Sequence, residues 1–444
     1  MRSGRRAVGT LALITTTLTG AALLGAFAPV AAQAAAAKTL YVSQSGFDSG
    51  TCTSASPCAT VSYALTKAAS GATIEVSGTI NDHLSIASPV TITTWPGGPA
   101  VSPAVLDGTA SGTVVTVDSG VAGVTLNDLT IENGSANYTG GILNSGTLTL
   151  TDSTVSGNSG NGDAGNGIWN YDQATMTIID STVANNSGYG YGIENSGTMT
   201  VLASTIAGNT SAFSPGSGGG IYSGSGHVAT LAATIVADNT GSNCDAAAAG
   251  SLASAGYNLT NDTSGTACGF TAATDLVNKN PLLGSLASNG GPTQTLLPGA
   301  KSPAADVIPN PTTLHGVAVC PSTDQRGVTR PGHGESRCTI GAAEVAFKKP
   351  TTTSVTVNPT AVTAGTRVIY QVVVTPKSGT STPAGTISFT TGTTKLCTAV
   401  LSGGVAACGA TNAPVGTDTV TGTYSGGDGY ASSSGTATLT VTTA

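Results

Sequence analysis

Four consecutive stretches in the middle of the chain read as one motif: GGILNSGTLTLTDSTVSGN (140–158), NGIWNYDQATMTIIDSTVANN (166–186), YGIENSGTMTVLASTIAGN (191–209) and GGIYSGSGHVATLAATIVADN (219–239). The motif returns every 23 to 30 residues. In each copy an apolar pair recurs seven apart: Leu148 and Val155, Met176 and Val183, Met199 and Ile206, Val228 and Ile235. Alternation around these anchors, as in Leu148-Thr149-Leu150, is the two-residue period of a strand with one buried face, so three short strands per copy are expected. A unit this small cannot bury its apolar face alone; it becomes stable when neighbours stack and share a core. A parallel β-solenoid follows, with Leu148, Met176, Met199 and Val228 as one inward column and Ile142, Ile168, Ile193 and Ile221 as another. The asparagines that close the motifs are expected to form a ladder at a corner. GVTLNDLTIENGS, ending near Asn133, reads as an earlier, less regular coil.

A solenoid has open sheet edges at both ends, and these need covers. At the start, TCTSASPCATVSYALTKAASGATIEVSGTI offers a loop and an amphipathic helix from Val61 to Ala69; His83 in NDHLSI belongs to the first coil in a structural role. Residues 280–344, proline-rich and non-repetitive, are the expected cover of the far end. After KKPTTT, segments such as TSVTVN, RVIYQVVVTP, GTISFTTG and TATLTVT alternate like the strands of a β-sandwich. The division is then a leader (1–34), a capped parallel β-helix (35–346), a linker (347–352) and an immunoglobulin-like sandwich (353–444), an all-β chain.

The leader reading rests on Arg2, Arg5 and Arg6, an uncharged stretch after Thr10 and the small-x-small site Ala32-Gln33-Ala34. Nothing later is long and apolar enough for a membrane anchor. Losing the three arginines takes the formal net charge from −7 to −10, which argues against nucleic acid as a partner. Eight cysteines fall into local couples, Cys52 with Cys58, Cys244 with Cys268, Cys320 with Cys338 and Cys397 with Cys408. An even count in an exported chain without CxxC reads as disulfides and not as a metal site. The last couple is expected to join neighbouring strands of the sandwich.

YVSQSGFDSGTCTSASPCATVSYAL at the start, STVSGN, STVANN and STIAGN in the coils, and NPLLGSLASNGGPTQTLLPGAKSPAADVI, DQRGVTRP and CTIGAAE at the close resemble the choice-of-anchor Q proteins. The resemblance spans residues 39–345. It implies a pectin-lyase-like right-handed β-helix, related to polymorphic outer-membrane-protein repeats, on exported proteins with varied C-terminal anchors. No sorting motif or hydrophobic tail is found here, so loose association with the surface is expected. YSGGDGYASSSG resembles bacterial Ig-like repeats, which implies a spacer or adhesion module.

The scaffold invites an enzyme reading, but fold does not carry activity. Polygalacturonases pair adjacent aspartates, and no Asp-Asp occurs; Gly332-His333-Gly334 matches one of their motifs only superficially. Lyases abstract a proton with a basic residue, yet residues 127–238 contain no lysine or arginine. Asp152 and Asp180 occupy equivalent places in consecutive coils, so stacking brings their carboxylates to about 5 Å, the separation of a retaining glycosidase pair, and raises one pKa. Calcium binding and corner-turn chemistry compete for the same two residues, and the turn is the stronger reading.

Leu143, Trp169, Glu194 and Tyr222 each follow the inward isoleucine of their coil, so they are expected to face outward as a stripe, with Tyr138, Tyr171, Tyr189 and Tyr191 nearby. Flat rings with a polar tip suit sugar rings. Trp169, Tyr171, Glu194 and Tyr222 are the candidate ligand-binding residues; packing against a neighbouring loop is the competing role. Near the close, Asp324, Arg326, Arg330, Glu335, Arg337, Glu344, Lys348 and Lys349 concentrate charge, with Asp324 expected to pair with Arg326 or Arg330. The reading is a secreted, non-enzymatic surface or matrix protein that contacts cell-wall or environmental polysaccharide, or other surface proteins. A polysaccharide-degrading enzyme is the alternative.

Overall fold

The computed structural model describes residues 38–100, 103–162, 164–212, 219–247, 251–314, 317–332, 336–345, 350–377, 382–427 and 430–444. The leader, His333, Gly334, Glu335, Lys348 and Lys349 lie outside them.

One coil shows how the repeat folds. Ile142–Asn144, Thr147–Thr151 and Thr154–Ser156 are its three strands, and a two-residue strand, Ser159–Gly160, adds a short fourth side. Each strand pairs in parallel with its equivalent in the next coil. Sheet I therefore holds seven strands, from Leu84–Ile86 to Cys244–Ala246. Sheet II holds nine, from Thr39–Ser43 to Leu252–Gly256. Sheet III also holds nine, from Thr79–Asn81 to Leu276–Val277.

The inward columns follow the register. Ile142, Ile168, Ile193 and Ile221 align in sheet I and are buried. Leu148, Met176 and Met199 align in sheet II, but the fourth place belongs to Ala229; Val228 pairs with Thr198 and is 45% exposed. Sheet III is shifted likewise: Val236 continues Val155, Val183 and Ile206, while Ile235 pairs with Thr205. Both anchors expected in the fourth motif are thus one residue early. That motif offers two adjacent apolar residues at each anchor, Val228-Ala229 and Ile235-Val236, so spacing alone could not choose. Ile235 points away from the solenoid core yet is buried, in a second cluster with Ala304, Ile308 and Ile340.

That cluster overturns the expected place of the closing segment. Residues 280–345 do not cover the solenoid's end; they run as a strap along its flank, over the outer face of sheet III. The Ala342 amide donates to Thr205 Oγ1 at 3.0 Å, and the Gly341 amide to the Ala233 carbonyl at 2.9 Å. Gln325 bridges two coils: its Nε2 donates to Thr154 Oγ1 at 2.9 Å, and its Oε1 accepts from Thr182 Oγ1 at 2.6 Å. Leu296 packs on Ala184 and Ala207. The outward threonines and alanines of sheet III are therefore docking positions, small enough for another backbone to lie on them. Phe270 and the Cys244–Cys268 disulfide join the main core near the last strands of the solenoid and close it there instead. At the other end the helix is shorter than expected, Val61–Leu65, with Thr60 as its N-cap and Val61 and Ala64 buried. His83 is structural, with Nδ1 3.0 Å from the Thr113 carbonyl.

Polar columns run between the apolar ones. Asn158, Asn186, Asn209 and Asn239 form the expected corner ladder, each Nδ2 donating to the next Oδ1 at 2.9–3.0 Å. A second ladder, not anticipated, links Asn144, Asn170 and Asn195 at 2.8 Å and ends on Ser223 Oγ at 3.0 Å. Its signal was present: an asparagine stands two places after the inward isoleucine in three motifs.

The C-terminal domain is a sandwich of a three-stranded and a five-stranded sheet. Its first strand, Thr351–Asn358, alternates buried and exposed residues without interruption and begins inside the span assigned to a linker. Tyr370, Phe389 and Tyr424 fill the core. All four expected disulfides are formed. Cys397 and Cys408 lie on consecutive strands, Thr394–Leu401 and Val405–Ala410, but these belong to opposite sheets. The bridge therefore crosses the sandwich, because the turn between those strands carries the chain from one sheet to the other.

Candidate ligand-binding face

Sheet I places the candidate residues by register. Leu143, Trp169, Glu194 and Tyr222 stand in one column, and Asp245 continues it. With adjacent strands about 4.8 Å apart, Trp169 and Tyr222 are two rungs, roughly 10 Å, from each other. Their neighbours turn the column into a surface. Tyr171 meets Trp169 edge-on at 4.9 Å between centroids, and Tyr138 lies 5.9 Å away on a tilt. Tyr138 and Tyr171 are 61% and 46% exposed. Tyr191 stacks on Tyr222 at 4.8 Å and 12°. Tyr189 is exposed.

The acidic members behave differently from the rings. Glu194 is only 9% exposed and accepts from Ser196 Oγ at 3.2 Å; it lies between the aromatic groups, not out on the stripe as expected. Asp245 accepts from the Tyr191 hydroxyl at 3.2 Å. Burial, then the Glu194 and Asp245 carboxylates, push the Tyr222 phenol above its ordinary range. The sequence reading missed Asp245, because the fifth coil lacks the repeated motif and only the register puts it in line. Asp245 also lines an open cleft of about 840 Å³ with Ala246, Leu252, Ser254, Thr266 and Gly269. The last member of the column therefore also borders a concave site.

Asp152 and Asp180 are on another side, at the corner between sheets II and III. Both adopt the left-handed conformation, φ 47° and 42°, in a column with Asp128, Ala203 and Ala233. Alanine at two of these places shows that the turn does not need a carboxylate. Asp180 is 4% exposed and lies 3.2 Å from Arg330 Nη2 of the strap. Arg330 also reaches Glu344 at 3.5 Å, and Arg326 holds Asp324 at 2.6 Å. Burial is the largest influence on both corner carboxyls. It raises Asp180 to about 8, with Arg330 opposing and Asp152, Asp324 and Glu344 adding; Asp152 rises to about 7, helped by Asp128 and Asp324. Both residues thus anchor the strap, Asp180 through its carboxyl and Asp152 through its backbone carbonyl, which accepts from Thr293 Oγ1 at 3.0 Å; Asp180 is too buried for a ligand to reach. Among the described residues no three His, Cys, Asp or Glu side chains gather as metal ligands. No described helix is long and apolar enough to cross a membrane.

The family model for a right-handed β-helix region matches residues 108–240, and that for a bacterial Ig-like domain (group 3) matches residues 355–442. No curated protein and no solved structure matches the chain. The two matched regions, with four disulfides, fit an extracellular surface protein.

Proposed function

We propose that this β-helix and Ig-like chain is an exported surface or matrix protein that holds polysaccharide against the outer face of sheet I and does not cleave it. The single observation that carries this reading is the column of Trp169, Glu194 and Tyr222, flanked by Tyr138 and Tyr171 and ending at the Asp245 cleft. Rings that pack on each other yet remain partly exposed give a rigid, amphipathic platform, at low entropic cost to the ligand complex. Asp245, partly exposed at the end of the column, supplies an acceptor for sugar hydroxyls. The resemblance to choice-of-anchor Q proteins supports the exported, surface-associated setting, and the Ig-like domain suits a spacer or adhesive module.

The enzyme alternative would use Asp152 and Asp180, whose surroundings count against it, since Asp180 is buried and paired with Arg330. Replacing Trp169 and Tyr222 by alanine is expected to weaken retention on insoluble polysaccharide by about tenfold per ring, from the energy of an aromatic contact and the area lost with it. Co-sedimentation with a panel of wall and plant polysaccharides measures this, and a reducing-sugar assay on the same samples should stay at background. Retention unchanged in both variants ends the binding role of the column; new reducing ends revive the enzyme.

A further inference from the structure

We infer that the glycan taken by this face carries free amino groups, as in a glucosamine-rich polysaccharide, and is not a uronate polymer. The inference rests on the carbohydrate-binding reading above and concerns charge. Residues 68–278, which contain every solenoid strand after the first, include no lysine or arginine against fifteen aspartates and glutamates. The arginines that do touch the solenoid, such as Arg330, belong to the strap over sheet III and are consumed by Asp180 and Glu344. Nothing cationic therefore stands in the column to receive a carboxylate ligand.

What does stand there suits an ammonium. Tyr191 and Tyr222 are stacked nearly parallel, with a carboxylate on the rung to either side of Tyr222: Glu194 buried behind the rings and Asp245 partly exposed at the rim. Asp245 is bonded to the Tyr191 hydroxyl at 3.2 Å and opens on the cleft. An ammonium at an aromatic face gains from the ring quadrupole, and one that also meets a carboxylate gains a charge-assisted hydrogen bond. A uronate at the same place meets Asp245, with the buried Glu194 behind it and no counter-charge. The shape of the scaffold would favour neither ligand; the charge around the rings separates them.

The test uses the full chain and three soluble hexasaccharides: β-1,4-linked glucosamine, its fully N-acetylated form, and galacturonate, titrated calorimetrically at about pH 6 in low and high salt. The glucosamine hexamer is expected to bind about tenfold more tightly than the N-acetylated one, the margin of one charge-assisted contact, with galacturonate weakest and the margin narrowing in salt. Asp245→Asn should abolish the margin between the two glucosamine forms, whatever it takes from the sugar binding common to both; Glu194→Gln serves as the second variant if the first fails to fold. Equal binding of the two glucosamine forms, or a margin that survives both variants, overturns this inference while the sugar-binding role stands. Tighter binding of galacturonate overturns it as well. No binding of any hexamer overturns both.

Discussion

Replacing Arg330 with methionine is expected to loosen the strap from the solenoid and to cost about 3–5 kcal/mol near neutral pH, the range for stripping a buried charge of its partner. The size follows from what one guanidinium serves. It donates to the Thr339 and Gly341 carbonyls at 2.9 and 2.7 Å and reaches Glu344 and Asp180. Methionine fills similar volume but satisfies none of these groups. The pH dependence adds a second signature. Asp152 and Asp180 are raised to about 7 and 8, so the folded chain holds protons that the unfolded chain releases. Their contribution is complete below the ordinary aspartate range near 4 and is lost as pH rises through 7 to 8. Arg330 lowers both values; without it they rise further, and the deficit of the variant should widen above about pH 8. Urea denaturation at three pH values, with hydrogen exchange at the Gly341 and Ala342 amides, measures both effects. An absent deficit would show that the strap is held by its apolar contacts alone, Leu296 on Ala184 and Ala207 and the cluster around Ile235; a deficit that is the same at every pH would show that Asp152 and Asp180 do not titrate against Arg330.

The strap also marks where the sequence stops being readable. Coil order, the isoleucine column, the closing asparagine ladder and the outward stripe were legible because each is a statement about repeated positions, and stacking converts repetition into contact. The fourth motif failed by one residue for a local reason: with two apolar neighbours at each anchor, periodicity is degenerate, and the register is decided by the asparagine that follows. Residues 280–345 have no repeat, so nothing in their order says that they lie along a flank. The hint was on the solenoid instead, where Ile235 replaces the outward threonines of earlier coils and needs a cover. Asp245 was hidden for the same reason, since its coil lacks the motif and only pairing with Tyr222 brings it to the candidate face. Glu194 was placed on the right column, yet its burial between rings depends on side-chain packing that alternation cannot express.

The second large effect is expected at Asn170, which links the fold to the face. Asn170 immediately follows Trp169 in the strand Ile168–Asn170 and is fully buried. Its Oδ1 accepts from Asn144 at 2.8 Å, and its Nδ2 donates to Asn195 Oδ1 at 2.8 Å and to the Thr198 carbonyl at 3.1 Å. Leucine at this place removes four buried hydrogen bonds spread over three coils, to Asn144, Asn195 and the Ala174 and Thr198 carbonyls, at about 0.5–1.5 kcal/mol each, so a loss of about 4 kcal/mol is expected. Because the same rung sets Trp169 over Glu194, binding to polysaccharide should fall further than the loss of folded protein accounts for. Asn170→Ser is the informative partner. The native column already ends on a hydroxyl, Ser223, which accepts from Asn195 at 3.0 Å, so serine can take up the bond from Asn144 while forfeiting the reach to Thr198. Its cost should be roughly half that of leucine, with the register and the binding face retained. Denaturation midpoints of the two variants, read beside co-sedimentation, decide the matter. If leucine is as stable as asparagine, the ladder does not hold the coils together, and the spacing of the rings along sheet I must come from the apolar columns alone.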